Sequence, residues 1–402
     1  FTALFPYGET AAGAGSEGDA ASPAAATASV AALHAIQTAA YIQAHFAPGG
    51  RDRVFATRFG DFALGVKVGV SCGDVQWGIP GHGGRYTFYF RGPGVTGCAR
   101  AVMQANRGQV NADRALLPHI QAQVDTEPIA GTRCHRVVSP YRAVAGHQAA
   151  ACSPDLPAPG AELPAFSRDD LRPFIPDTVL ELSLEAEFLE VCPVFISFEE
   201  LVDEAGLHRF LAEIIALADD FGGNLGQVEF GDKGGLLVLW FGAPTAYENN
   251  AQRAVEFLLA CQRRGWTPRW RAGLASGIVW AGFRGGFERC EYSIVGDVVN
   301  LAARLAMAAG WGETWASPLL RAGLAATYRF APRGAVRLMG RSGEIAVWEL
   351  QGKRVRAEPR FHTRQIIGRD AELNQLAAHL EPIFGGRFAG LIYVHGEAGV
   401  GK

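Results

Sequence analysis

Asn300 and Arg304 stand four residues apart in GDVVNLAARL, a segment whose apolar spacing predicts a helix beginning after a glycine turn at Gly296. At that spacing both side chains project from one helix face. An amide beside a planar, permanently charged guanidinium suits a sugar and a phosphate: the amide can orient a ribose hydroxyl, and the cation can meet charge developing on phosphoryl oxygens. The same pair is also compatible with the solvated side of an amphipathic helix. A second group lies in GEAGVGK, where Gly396, Gly399, Gly401 and Lys402 fit G-x-x-x-x-G-K and follow the apolar run LIYV. In that context backbone amides cradle phosphates and the lysine reaches their outer oxygens. The sequence ends at this lysine, so no nucleotide hydrolysis is expected of this stretch alone.

The elements that must position these groups come as a repeat. GVSCGDVQWGIPG begins at Gly69 and GLASGIVWAGFRG at Gly273, a displacement of 204 (273 − 69) that then holds without a gap. Gly92 pairs with Gly296, Thr96 with Asn300 and Arg100 with Arg304. A period of this size indicates two related domains and not a solenoid. In the first copy, Phe1 to Phe5 reads as a strand, a Gly/Ala/Ser-rich loop runs to about Ser29, and a helix continues to Phe46. Alternation from Leu64 to Val70 and the β-rich RYTFYFRG predict strands, and Val95 to Asn106 a helix. The second copy reads β-α-β-β-α-β with further strands, an α+β ferredoxin-like sheet expected to carry its helices on one face. The expected division is a first domain at 1–138, a Pro/Ala-rich linker at 139–188, a second domain at 189–350, a connector at 351–365, and the start of an α/β P-loop domain at 366–402.

Composition narrows the partners. A net charge of −3 favours neither a nucleic-acid backbone nor an anionic membrane. Seven cysteines with no CxxC pair argue against a disulfide framework and a zinc knuckle, and point to a reducing cytoplasm. The runs LLVLWFGA and LIYV fall well short of the roughly 20 apolar residues that a bilayer requires.

EYSIVGDVVNLAARL, GLASGIVWAG and VEFGDKGGLLVLWFGAP together resemble a class III nucleotide cyclase homology domain, fully over Val191 to about Leu350 and in part over Phe1 to about Ile120. The tandem layout followed by a P-loop is similar to the bicarbonate-responsive soluble adenylyl cyclases and their bacterial relatives, and IIGRDAELNQL resembles the entry segment of signal-transduction ATPases. The resemblance implies one site between two domains, where the 3′-hydroxyl of ATP attacks its own α-phosphate and releases pyrophosphate, with two Mg²⁺ or Mn²⁺ ions assisting. By the same resemblance Asn300 orients the ribose, Arg304 is the transition-state cation, and Ser293 and Gln227 read the base. Gln227 replaces the family's lysine, which leaves ATP against GTP open.

Asp232 and Lys233 resemble the metal-binding Gly-Asp turn, but DKG also suits a metal-free hairpin turn, and Asp297 is expected to cap the helix that bears Asn300. Ser197, Phe198 and Glu200 occupy the positions where a first metal aspartate would fall, so no metal ligand is expected within this sequence, and the ligands are expected upstream of Phe1. In the first copy Thr96 replaces the asparagine while Arg100 is kept, so Arg100, with Lys67, is a candidate site for a small anion such as bicarbonate; a structural ion pair is the alternative. The expected function is an adenylate cyclase in intracellular signalling. Its competitor is a degenerate cyclase pair that senses nucleotide or anion and regulates the attached ATPase.

Overall fold

The computed structural model describes residues 23–47, 54–58, 60–139, 167–182, 186–285, 290–337, 343–354, 368–393 and 395. The chain divides into two compact units, one through Gly352 and one from Lys353. The first unit holds both copies of the repeat.

The first copy runs α1 (Pro23–Phe46), β1 (Val54–Thr57), β2 (Gly60–Ala63), β3 (Val68–Val70), β4 (Gln76–Gly78), β5 (Gly81–His82), β6 (Arg85–Tyr86), β7 (Tyr89–Arg91), α2 (Pro93–Met103), β8 (Val110–Asp113), α3 (Leu117–Ile120), β9 (Asp125–Pro128) and β10 (Cys134–Ser139). Its sheet has the order β3-β8-β10-β9, while β1–β2, β4–β7 and β5–β6 are separate antiparallel ladders. Helix α1 starts at Pro23, six residues before the loop was expected to end. An alanine-rich stretch favours helix, and Pro at the first position is pre-set for it. The alternating run from Leu64 yields only the short β3, and RYTFYFRG is split between β6 and β7.

Two short helices, α4 (Arg168–Leu171) and α5 (Asp177–Leu180), lie within the stretch expected to be extended. Ser167 and Asp170 form a capping box that starts the first of them. The second copy then runs β11 (Glu187–Phe198), α6 (Glu204–Asp220), β12 (Gly223–Gly231), β13 (Gly234–Phe241), α7 (Asn250–Arg264), β14 (Trp270–Leu274), β15 (Gly277–Gly285), β16 (Cys290–Val295), α8 (Asp297–Ala308), β17 (Thr314–Ala316), α9 (Pro318–Leu324), β18 (Tyr328–Arg337) and β19 (Glu344–Lys353). The sheet order is β12-β13-β11-β14-β17-β19-β18, with β15 joined to β11 and β16.

Helices cover both faces of this sheet, not one. Val194, Ile196 and Phe198 of β11 face α6 and α7 in the main core, whereas Phe195 between them packs with Leu301, Leu305 and Val347 on the α8 side. A central strand apolar on both faces requires cover on both. In the second unit, α10 spans Asp370–Phe384, and Leu391 to Tyr393 of the apolar run LIYV join no strand and are exposed.

The repeat holds at the level of strand register. Gly78 faces Tyr89 across β4–β7, and Gly282 faces Ser293 across β15–β16, each pair displaced by 204. The parallel pairs Val70 with Ala112 and Leu274 with Ala316 obey the same displacement. A Cβ on Gly69 would come within 2.4 Å of Val102 N and 2.5 Å of Cys98 O; on Gly273 it would come within 2.2 Å of Ala306 N and 2.3 Å of Ala302 O. In both copies a helix rests on a strand at the same missing side chain.

The two copies are joined by the first copy's hairpin. Tyr89, 1% exposed, sits in the second copy's core with its ring 5.4 Å from that of Phe230, and its hydroxyl is 3.2 Å from His208 Nε2. Arg91, also buried, donates to the carbonyls of Leu201 and Val202. Because the atoms facing Gly273 are backbone, Gly273→Ala should destabilise the protein by about 1–3 kcal/mol with an unchanged denaturant slope. Chemical denaturation measures this, and an unmoved midpoint would contradict the close packing.

Candidate functional site

A cleft of about 190 Å³ opens beside β11, β12, β13 and β16, lined among others by Phe195, Gln227, Trp240, Glu291, Tyr292 and Ser293. It lies below the roughly 300–1,000 Å³ of sites that enclose a drug-sized ligand, a size that suits a flat base better than a whole nucleotide. Its geometry begins with a bulge. The register of β12 against β13 shifts between Leu225 and Gln227, and a Cβ on the intervening Gly226 would lie 2.0 Å from the Trp240 ring. The glycine admits the indole and the bulge re-aims the glutamine.

Gln227 Nε2 donates to Glu291 Oε2 at 3.2 Å, and Arg284 pairs with the same carboxylate. A carboxylate only accepts, so it holds the amide by its NH₂ end and leaves the carbonyl oxygen and one N–H for a ligand. Ser293, two residues from Glu291 on the same strand face, makes no side-chain hydrogen bond among the described residues. The two residues expected to read a base are thus brought to one cleft. Glu291 and Arg284 were not singled out from sequence; the two-residue spacing of Glu291 and Ser293 in EYS was the available signal. Burial, reinforced by the Glu187 carboxylate, pushes the Tyr292 phenol up to about 12.

Helix α8 leaves this cleft through Val299, which lines it. A Cβ on Gly277 would meet Val298 Cγ1 at 2.7 Å, so the helix start is seated directly on β15. Gly296 is the N-cap and Asp297 the first helical residue, which corrects the expectation that Asp297 caps. Its carboxylate still complements the positive end of the helix. Leu301, Ala302, Leu305 and Ala306 are buried, Asn300 is exposed and Arg304 is half-buried. Among the described residues the Arg304 guanidinium forms no hydrogen bond or ion pair.

Asp232 and Lys233 form an exposed two-residue turn between Gly231 and Gly234, next to the end of β11, where the buried Phe198 pairs with Gly235 and Ser197 with Leu236. Among the described residues no three His, Cys, Asp or Glu side chains gather where a metal ion could sit. In the first copy Thr96 occupies the first turn of α2, and Lys67 is exposed before β3 and shares no anionic partner with Arg100 among the described residues. Arg100 Nη1 instead donates to Asp113 Oδ2 at 2.7 Å. Gly396, Gly399, Gly401 and Lys402 lie outside the described residues, as does the expected strand at Phe1 to Phe5. No described helix is long and apolar enough to cross a membrane.

No protein-family model matches the chain. Adenylate cyclase 1 of Rhizobium meliloti (strain 1021) is 28% identical over 134 residues, covering 29% of this chain and 20% of that protein. The match thus spans about a fifth of the length of this curated relative. Among solved structures, the adenylyl cyclase CyaB from P. aeruginosa matches 43% of this chain and 98% of its own at 23% identity and a TM-score of 0.39. The guanylate cyclase domain of RhGC from Catenaria anguillulae, in complex with GTP, matches 42% and 100% at 22% identity and a TM-score of 0.38.

Tyr292 gives the cleft a pH signature. The fold favours the neutral phenol, so between pH 10.0, the ordinary value, and about 12 the unfolded chain binds fewer protons than the folded one. Stability present below that window should fall as pH rises through it. Tyr292→Phe should make the alkaline limb of unfolding midpoint against pH shallower, and an identical slope would refute the burial of this phenol.

Proposed function

We propose that the first unit is a purine nucleotide cyclase whose second copy supplies the base cleft and the transition-state cation. In this reading residues 1–138 and 189–350 are its two halves and residues 366–402 open a P-loop domain. The observation that carries it is the convergence of Gln227 and Ser293 on one cleft that continues through Val299 into the helix bearing Asn300 and an unpaired Arg304. The similarity to an adenylate cyclase supports the same class, and adenine is the base we assign.

The chemistry follows from the groups present. The base enters the cleft, where the Gln227 carbonyl, held outward by Glu291, accepts from an exocyclic amine and Ser293 donates to a ring nitrogen. Asn300 orients the ribose so that its 3′-oxygen stands in line with the α-phosphorus. As the 3′-hydroxyl gives up its proton to water, its oxygen bonds to phosphorus, the bond to the bridging oxygen breaks, and pyrophosphate leaves with the electron pair. Among the described residues Arg304 has no internal partner, so it can follow the charge that develops on the α-phosphoryl oxygens without first breaking an ion pair. Divalent ions, Mg²⁺ or Mn²⁺, neutralise a triphosphate when bound, and the described residues present no cluster for them.

The test is an assay of the full-length protein with ATP and Mn²⁺. Cyclic AMP should form, and Asn300→Ala and Arg304→Ala should each lower its rate by roughly 10²–10³-fold with the protein still folded. ATP binding without cyclic AMP would replace this reading with that of a nucleotide-sensing regulator.

A further inference from the structure

The repeat places two arginines, Arg100 and Arg304, at equivalent points on equivalent helices, yet only one is uncommitted. The displacement of 204 continues past the helices through the parallel pairs β3–β8 and β14–β17, which makes Asp113 the counterpart of Ser317. Both cap the turn that follows. Asp113 Oδ1 accepts from Ala115 N at 3.1 Å, and Ser317 Oγ accepts from Leu320 N at 3.4 Å. A serine has one oxygen and no charge, and its cap occupies that oxygen. An aspartate has a second oxygen, and here Oδ2 takes Arg100 Nη1 at 2.7 Å.

A second difference clears the path between them. A Cβ on Gly97 would lie 2.0 Å from Ser71 Oγ, so the missing side chain makes room for that hydroxyl, and at 3.4 Å from Asp113 Cγ only a side chain reaching beyond Cβ would crowd the carboxylate. The counterparts of Gly97 and Ser71 are Leu301 and Ala275, both buried in an apolar cluster with Ala302, Leu305 and Val347. The ground beneath Arg304 is hydrocarbon.

We infer that the paired differences Gly97/Leu301 and Asp113/Ser317 decide which of the two repeated arginines can receive an anionic ligand. The Asp113 carboxylate is 3% exposed and its arginine 32%. An incoming phosphate or bicarbonate would have to displace a buried, charge-assisted partner and leave that carboxylate uncompensated. Arg100 is therefore closed to such ligands by an internal anion. Ser317 and Leu301 act as positioning residues that keep Arg304 open, and identifying the Arg304 ligand as nucleotide phosphate rests on the function proposed above.

Arginine-selective labelling of the full-length protein with phenylglyoxal, read peptide by peptide in a mass spectrometer, tests this without any assay of turnover. Arg304 should react about tenfold faster than Arg100, the scale set by an ion pair that must open first. Asp113→Ser keeps a capping oxygen and should bring Arg100 up to the Arg304 rate. Ser317→Asp combined with Leu301→Gly should slow Arg304, and should lower kcat for cyclic AMP formation more than it changes KM for the nucleotide. Equal rates in the unaltered protein, or an Arg100 rate unmoved by Asp113→Ser, would overturn the inference, and the Asp113→Ser arm decides alone if the double variant unfolds. The labelling pattern without cyclic AMP would sink the cyclase reading and leave the inference standing.

Discussion

The close approach of helix to strand at Gly69 and Gly273 is the contact from which the rest of the first unit is built. Peptide atoms of α2 and α8 occupy the space that a side chain would take, so each helix is fixed in height and rotation against its sheet. Rotation matters most. With Ala302, Leu305 and Ala306 turned inward onto β14, Asn300 and Arg304 can only lie on the outer flank. The face of the helix that carries Asn300 and Arg304 is thus set by what its other face cannot avoid touching.

Identical scaffolds then diverge at single positions. Tyr89 and Ser293 share a place in the register of their hairpins, yet the tyrosine fills the second copy's core while the serine lines a cleft. The tyrosine's ring closes against the second copy's core at the place where the serine leaves a cleft open. It also bonds the copies together, through Phe230 and His208. The repeat is symmetric in its backbone and asymmetric in what its cavities can hold.

Much of this was legible in the sequence, because strand register and helix spacing are local properties and the displacement of 204 transmits them from one copy to the other. The helix bearing Asn300 and Arg304 and the α+β character follow from patterns of a few residues, whereas the meeting of Gln227 with Ser293 is implied by the resemblance to class III cyclases and not by any local pattern. What was not legible depends on non-local partners. The sequence leaves Arg100 as either an anion site or half of a structural ion pair, and the partner that decides for the pair, Asp113, lies thirteen residues on and across a strand. The Gln227 and Glu291 pair is separated by 64 residues. The two-faced burial of β11 has its signal in an apolar run without alternation, which calls for cover on both faces, whereas the expectation of helices on one face rested on element order alone.

The grip of Arg91 on the carbonyls of Leu201 and Val202 ties the two copies by main chain alone. Every amino acid carries the same carbonyl, so these two positions are free to drift without loosening the tie, and Val202, 92% exposed, has little else to hold it constant. The burden of invariance falls wholly on the arginine, whose forked guanidinium reaches both oxygens and Gln76 at once, which a lysine could not do. In a lineage of such chains, the partner segment should diverge while the arginine that reads it stays.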